Sequence, residues 1–393
     1  MKVYKFITCM MVTITLPILH IGKTLINKSM TFPRLLMSGK KFTESPVLLF
    51  PGLGASRLLK GTHNIYPPSF NQYIFHTKKW QKEMTENRNL TTFPFGDKRG
   101  LDMSVSLFSS NRNVYHRMIH QEPDIYPIPY DFRLVDKPEY MDELCHRLKT
   151  YIETFRKPVI LMCHSSGGLV AHWFLHKQPL TWRKQWIDSV VNINVPFGGT
   201  VMVLENCIRE DVGVSRLVGK ALIRSLGATV LNMPDTRYLN TSVLTYNGKD
   251  VKDYLEFFEL DDIRKRLKQN QDVIDSFKEW TGVETHIVYS TTDPTSITPI
   301  TIYANKEIKI YNDDEKRIEG TGDSLSYLSG RPNGSPDKYG NEWNIETHTG
   351  DGDGVVSLES LIVPRVWKAT PDLVIFHHVP RSGHSTIFNE ESL

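Results

Sequence analysis

The segment Val159-Ile160-Leu161-Met162-Cys163-His164-Ser165-Ser166-Gly167-Gly168-Leu169-Val170 constrains this chain more than any other. An apolar run of strand length meets a short polar and glycine-rich bend, then continues as an apolar stretch of helical character. A strand can turn that sharply into a helix only where the residues two before and two after the central serine are small, because a bulky Cβ there meets backbone. Here those positions hold Cys163 and Gly167, so the literal G-x-S-x-G pattern is broken by a cysteine small enough to fit. Such a bend lifts the Ser165 hydroxyl above the sheet and aims the Ser166 N–H at a substrate oxyanion, which is the geometry of acyl transfer. The plain alternative is a serine that merely caps a helix. The strand before and the apolar helix after weigh against it. Ser166 lacks the small residue required on its N-terminal side and is rejected as the nucleophile. His164 is expected to point away from its neighbour and to be structural, and His172 and His176 to be packing or surface residues of the helix.

The chain around this segment alternates short apolar runs with amphipathic helical patterns, which predicts a parallel sheet flanked by helices. Val47 to Phe50 is a buried strand ending in the tight loop Pro51-Gly52-Leu53-Gly54. Tyr140 to Arg156 carries Leu144, Leu148, Tyr151, Ile152 and Phe155 at helical spacing. Ser189 to Val195, His286 to Ser290 and Leu373 to Val379 supply further strands. Two stretches break the alternation. Residues 57–120 are rich in polar and aromatic residues, and 205–345 carry charge runs, loops and a Gly/Pro/Ser tract at 328–340. The predicted architecture is therefore an α/β-hydrolase fold with lid and cap insertions. Its core occupies 45–204, with the lid at about 57–120. A cap insertion that includes some core strands occupies 205–345, and the C-terminal part of the core 346–393. With 393 residues the chain can bury a large core, as one enlarged domain or as two coupled ones.

A serine nucleophile needs a base and an orienting acid. Thr349-Gly350-Asp351-Gly352-Asp353-Gly354-Val355-Val356 is a glycine-rich acidic loop downstream of the serine. A calcium loop is disfavoured, since valines occupy positions where oxygen ligands are needed and no glutamate closes the loop. A triad acid fits better, and the order Ser, Asp, His is the one α/β-hydrolases use. Asp353 is preferred because Val356, three residues on, anchors the turn in the core; spacing alone leaves Asp351 open. The last strand ends in Pro380, followed by Arg381-Ser382-Gly383-His384-Ser385. A histidine in that loop can reach over the sheet edge, so His384 is the candidate base, while His377 and His378 lie within the strand. Glycines in the Pro51 loop would let the N–H of Leu53 join that of Ser166 in an oxyanion hole.

Several motifs now stand in order: Pro51-Gly52-Leu53-Gly54, Pro129-Tyr130-Asp131-Phe132-Arg133, His164-Ser165-x-Gly167-Gly168, Pro196-Phe197-Gly198-Gly199, Tyr289-x-x-x-Asp293-Pro294-Thr295, Asp351-Gly-Asp353-Gly-x-Val356 and Gly383-His384. Each alone is unremarkable, but the ordered set, over about residues 46–388, resembles the lecithin:cholesterol acyltransferase family. Its members include the lysosomal phospholipase and the phospholipid:diacylglycerol acyltransferases. The resemblance implies a Ser165–Asp353–His384 triad and a glycerophospholipid substrate at a membrane or lipoprotein surface. It implies an acyl-enzyme whose acyl group passes to water or to a lipid alcohol, without cofactor or metal. The chain departs from the family at Cys163, where Gly or Ala is usual, and in a Pro51 loop that looks shorter than in mammalian members. It also lacks a lid cysteine pair between residues 57 and 100.

The remaining features bear on location and contact. Lys2 and Lys5 precede an apolar run from Phe6 to Ile21. That run is short of the roughly 20 residues of a membrane span, so residues 1–30 are expected to be a signal peptide or a short signal-anchor. With sequons at Asn27, Asn89, Asn240 and Asn333, this suits a secretory route to a secreted, lumenal or membrane-associated protein. Cys145–Cys207 is the one disulfide the sequence leaves open. A net charge of +3 gives no support to nucleic-acid binding. Tyr66, Phe70, Tyr73, Ile74, Phe75 and Trp80 interleave with Lys78, Lys79 and Lys82, a composition suited to an interfacial lid, although ordinary cap packing accounts for single residues equally well. Two competing functions remain: a soluble carboxylesterase or thioesterase, and a catalytically silent lipid-binding protein. The leader and aromatic lid weigh against the first, the Ser/Asp/His order against the second.

Overall fold

The computed structural model describes residues 45–69, 72, 75–101, 114–209, 214–239, 242–246, 248–293, 298–306, 343–369 and 373–388. The N-terminal leader, Phe70, Tyr73, Ile74, the tract at 328–340 and the sequons at Asn27, Asn240 and Asn333 lie outside the described residues. The strands in chain order are β1 (Val47–Phe50), β2 (Leu58–Lys60), β3 (His63–Tyr66), β4 (Ile125–Pro127), β5 (Val159–His164) and β6 (Ile187–Ile193). They continue with β7 (Leu244–Tyr246), β8 (Lys249–Asp250), β9 (Thr285–Thr291), β10 (Thr298–Lys306), β11 (Trp343–Gly350) and β12 (Val374–Pro380).

Six strands form a central sheet in the order β12-β9-β6-β5-β1-β4, and every neighbouring pair is parallel. Side chains alternate between its faces, and both faces are covered. In β1, Leu48 and Phe50 join one apolar cluster while Val47 and Leu49 join another; in β5, Leu161 and Cys163 divide from Ile160 and Met162 in the same way. Burial on both faces is why these strands read as continuous apolar runs rather than alternating ones. Helices Pro138–Thr154 and Ser166–His176 precede and follow β5, the first burying Met141, Leu144, Leu148 and Ile152 at helical spacing. This parallel sheet with flanking helices is the architecture of an α/β-hydrolase, and all its strands but β4 fall where the apolar runs predicted them.

The short strand β4, with Pro127 at its end, gave no strand signal in the sequence. It sits at the sheet edge, where a proline costs no ladder hydrogen bond. A second sheet, β11-β10-β7-β8, lies in the stretch 205–345 that broke the alternation, except that β11 runs on beyond it to Gly350. Its long antiparallel pair runs from Thr298 opposite Gly350 to Lys306 opposite Trp343. The chain thus leaves the end of β9, runs out along β10, and returns along β11 to almost the same place. Thr292, one residue beyond β9, donates its N–H to the carbonyl of Gly352 at 2.9 Å. That excursion delivers the acidic loop to the carboxyl end of the central sheet.

No helix among the described residues is long and apolar enough to cross a membrane. Cys145, Cys163 and Cys207 are free thiols, all buried, so the disulfide left open by the sequence is not formed.

Candidate active site

Ser165 follows β5 directly, at the carboxyl end of a central strand, where open α/β sheets place their sites. Its backbone has φ 53° and ψ −136°, a conformation that side-chain-bearing residues avoid at a cost of about 1–3 kcal/mol. The glycines behind it show why the bend is built so. A Cβ on Gly167 would lie 2.5 Å from the carbonyl oxygens of both Phe50 and Pro51, and one on Gly168 would lie 2.2 Å from a methyl of Val195. The helix starting at Ser166 can press against the end of β1 at Gly167, and against Val195 at Gly168, only with hydrogen at those positions.

His384 lies in the loop after β12 and turns its Nε2 to Ser165 Oγ at 2.8 Å, while its Nδ1 is 2.6 Å from Asp353 Oδ2. A carboxylate only accepts, so Nδ1 carries the proton and Nε2 is left as acceptor for the serine hydroxyl. The Asp353 side chain is fully buried, and its other oxygen accepts the N–H groups of Val355 at 2.9 Å and Val356 at 2.7 Å. The backbones are tied as well, with the His384 N–H donating to the Asp353 carbonyl at 2.7 Å. Asp351 is exposed and meets Leu358 through its backbone carbonyl. Both Asp353 oxygens are thus engaged by protein donors, and among the described residues no three His, Cys, Asp or Glu side chains group as metal ligands.

The Pro51 loop runs alongside the serine. A Cβ on Gly52 would stand 3.0 Å from Ser165 Cβ and 3.5 Å from its Oγ. The loop is braced by Tyr130, whose hydroxyl donates to the Pro51 carbonyl at 2.7 Å and whose N–H donates to Ser56 Oγ. This gives the Pro-Tyr-Asp-Phe-Arg motif a structural account. Arg133 pairs with Asp131 at 2.6 Å, both side chains buried, and donates to the carbonyls of Met84 and Asn87, tying the end of helix Thr77–Glu86 to the core. The Gly52 N–H is committed to the Tyr115 hydroxyl, which leaves that of Leu53 as the next along the loop. Ser166 is buried, and its hydroxyl accepts from Asn232 Nδ2.

One part of the surroundings departs from what the sequence predicts. Trp80, expected at an interfacial surface, is buried in the main core and donates its indole N–H to the Ile65 carbonyl at 2.9 Å. The helical register explains it: Trp80 and Met84, four apart, share the buried face of the helix, whereas Lys78, Lys79 and Lys82 face out. Phe75 is 69% exposed beside them, and Tyr66 packs its ring edge-on against Phe132. His164 is structural, as expected, and is bonded to the loop that carries His384. Its Nε2 lies 3.0 Å from the His384 carbonyl oxygen, which also accepts from Asn194 Nδ2 at 3.1 Å. Neither Tyr115 nor Asn194 gave a sequence signal, because one lies in the polar-aromatic stretch and the other simply ends a strand.

The lecithin:cholesterol acyltransferase family model matches residues 107–211, a span that holds Ser165 and its elbow but not Asp353 or His384. The lysosomal phospholipase A and acyltransferase of Homo sapiens is 23% identical over 312 residues, covering 74% of this chain and 67% of its own length. The phosphatidylcholine-sterol acyltransferase of Oryctolagus cuniculus is 24% identical over 202 residues, 48% of this chain and 46% of its own. Among solved structures, one chain of the Tle4–Tli4 complex superposes with a TM-score of 0.52 at 13% identity, over 88% of this chain and 96% of that one, a likeness of fold. Taken with the ordered motifs, these matches make the chain similar to the lecithin:cholesterol acyltransferase family, across the span that holds Ser165 and its elbow.

Proposed function

We propose that this protein cleaves an acyl ester of a glycerophospholipid through an acyl-enzyme on Ser165, and passes the acyl group to water or to a lipid alcohol. The observation that carries the reading is the unbroken chain Ser165 Oγ to His384 Nε2 at 2.8 Å and His384 Nδ1 to Asp353 Oδ2 at 2.6 Å. In the first half-reaction His384 Nε2 takes the hydroxyl proton as Ser165 Oγ attacks the acyl carbonyl carbon. The oxyanion that forms is met by the N–H groups of Ser166 and Leu53. Collapse breaks the ester bond, and His384 returns the proton to the departing lysophospholipid oxygen. In the second half-reaction a water or alcohol O–H gives its proton to His384 while its oxygen attacks the acyl-serine, and the same proton is returned to Ser165. Asp353 holds the imidazole tautomer and stabilises the imidazolium in both.

The hydrolase core of 45–204 and 346–393 carries these groups, and the stretches at 57–120 and 205–345 serve as lid and cap. Substrate comes from a membrane or lipoprotein surface approached by Phe75, Lys78 and Lys79, with Phe70 and Tyr73 in the same segment. The protein acts in the secretory pathway, secreted, lumenal or membrane-bound. The relatives' names support the lipid class of substrate, and the choice between water and alcohol rests with whichever acceptor reaches the acyl-serine.

The test is mass spectrometry of the purified protein after exposure to phospholipid vesicles, with and without a long-chain alcohol. An acyl adduct on Ser165, absent in Ser165→Ala, is expected, with acyl transfer to the alcohol when it is present. Undiminished lipid turnover by Ser165→Ala would sink the proposal.

A further inference from the structure

The hydrogen bonds around His164 have only one consistent direction. The His384 carbonyl oxygen can only accept, so His164 Nε2, 3.0 Å away, must carry the proton. In a neutral ring Nδ1 is then a lone pair, and the Tyr115 hydroxyl, 2.5 Å from it, must be the donor. The Tyr115 oxygen is left to accept the Gly52 N–H at 2.9 Å. The ring stays neutral because burial pushes its pKa down to about 3. A continuous path of donors therefore runs from the Pro51 loop, through Tyr115 and His164, to the backbone of the loop that carries His384.

We infer that Tyr115 and His164 are positioning residues that hold the oxyanion loop and the base loop in register on opposite sides of Ser165. The inference rests on the triad reading above and goes beyond it by naming what fixes the two loops relative to each other. Gly52 immediately precedes Leu53, the proposed oxyanion donor, so fixing its N–H fixes the next peptide. At the other end the His384 carbonyl is clamped twice, by His164 and by Asn194, whose side chain is itself held by Ser290 through bonds of 2.8 and 2.9 Å. Tyr115 is 3% and His164 2% exposed, and Phe388 packs on both rings. Apolar side chains would fill that space equally well; what the polar pair adds is bonds to the two loop backbones. Catalytic groups must be held to within about 0.5 Å, and a misplacement of about 1 Å can cost about 100-fold in rate.

The test compares the full chain with Tyr115→Phe, His164→Leu and His164→Gln by the rate constant and final extent of labelling of Ser165 with a fluorophosphonate. It also measures kcat and KM on a short soluble ester. Tyr115→Phe is expected to lower kcat and the labelling rate constant together, about 10- to 100-fold, with KM within about twofold. His164→Leu should fall as far, while His164→Gln, which keeps an N–H for the His384 carbonyl, should recover most of the loss. A purely structural role would reduce only the labelled fraction, leaving the rate constant of the labelled molecules at the wild-type value. That result, or equal rates in His164→Leu and His164→Gln, overturns the inference. Should Tyr115→Phe fail to fold, the two His164 variants carry the same comparison. Wild-type protein that does not label at Ser165 would instead remove the triad reading itself.

Discussion

The bend at Ser165 and the helix Thr77–Glu86 were both singled out from composition and spacing, yet they differ in what decides their structure. At the bend the constraint is local. A serine at φ 53° followed by two glycines, each with a neighbour closer than 2.7 Å to where a Cβ would be, leaves almost no other residue choice. The sequence therefore spells the geometry. In the helix the same residue types could face lipid or core, and tertiary partners make the choice. Trp80 finds the Ile65 carbonyl and the core, whereas Phe75, five residues earlier, remains exposed. A motif written by sterics can be read from the chain; a surface written by partners cannot.

The largest expected effect tests the first half of that comparison. Asp353→Asn keeps the side-chain shape but allows the wrong imidazole tautomer, and should lower kcat by about 10⁴-fold, the scale of such a reversal. Asp351→Asn, exposed and meeting its neighbours through backbone, should change kcat by less than about twofold. Steady-state kinetics on a soluble ester decides between them. A greater loss from Asp351→Asn would mean that the acidic loop is oriented otherwise and that the acid is Asp351.

The next effect tests the second half. Trp80→Ala removes a buried indole and leaves the Ile65 carbonyl without its donor, so it should destabilise the fold by about 3–5 kcal/mol. Phe75→Ala should change stability by less than about 0.5 kcal/mol. Denaturant unfolding measures both. Equal, small effects would restore Trp80 to the surface and break the contrast between the two regions.

How much was legible follows the same division. Five of the six central strands, the helix before the bend and the positions of Ser165, Asp353 and His384 along the chain were readable, since buried parallel strands and steric turns leave continuous marks in sequence. The route of the acidic loop was not. It follows β11, which belongs to the second sheet and returns Asp353 to the end of β9 through pairing with β10. Pairing partners as far apart as Thr298 and Gly350, across charged and glycine-rich sequence, have no local signature. The hydrogen bonds from Tyr115 and Asn194 were equally invisible, because a single tyrosine or asparagine says nothing of which backbone it will meet. For His164 the sequence predicts a structural ring that points away from Ser165, as found, and only its partners were hidden. Its ring does not serve as base, but pointing away from Ser165 Oγ brings it to the carbonyl of the residue that does.

The smallest effect concerns the outward face of that helix. Lys78 and Lys79 are exposed, and Lys82 lies 3.7 Å from Glu86, which screens its charge. A lysine near an anionic lipid surface contributes about 1 kcal/mol, or about fivefold in the binding constant. Lys78→Gln and Lys79→Gln should each weaken association with anionic vesicles by about that factor, and Lys82→Gln by no less, because its removal leaves the Glu86 carboxylate unpaired before an anionic surface. Raised salt should shrink all three differences, since these charges lie in water. Hydrolysis of a short soluble ester should be unchanged in each variant, because none of the three touches Ser165, Asp353 or His384. Equal losses on vesicles and on the soluble ester would mean that the helix supports the fold alone. Its exposed lysines would then be a solvated edge around Trp80 and Met84, and the comparison between the two regions would reduce to one of burial.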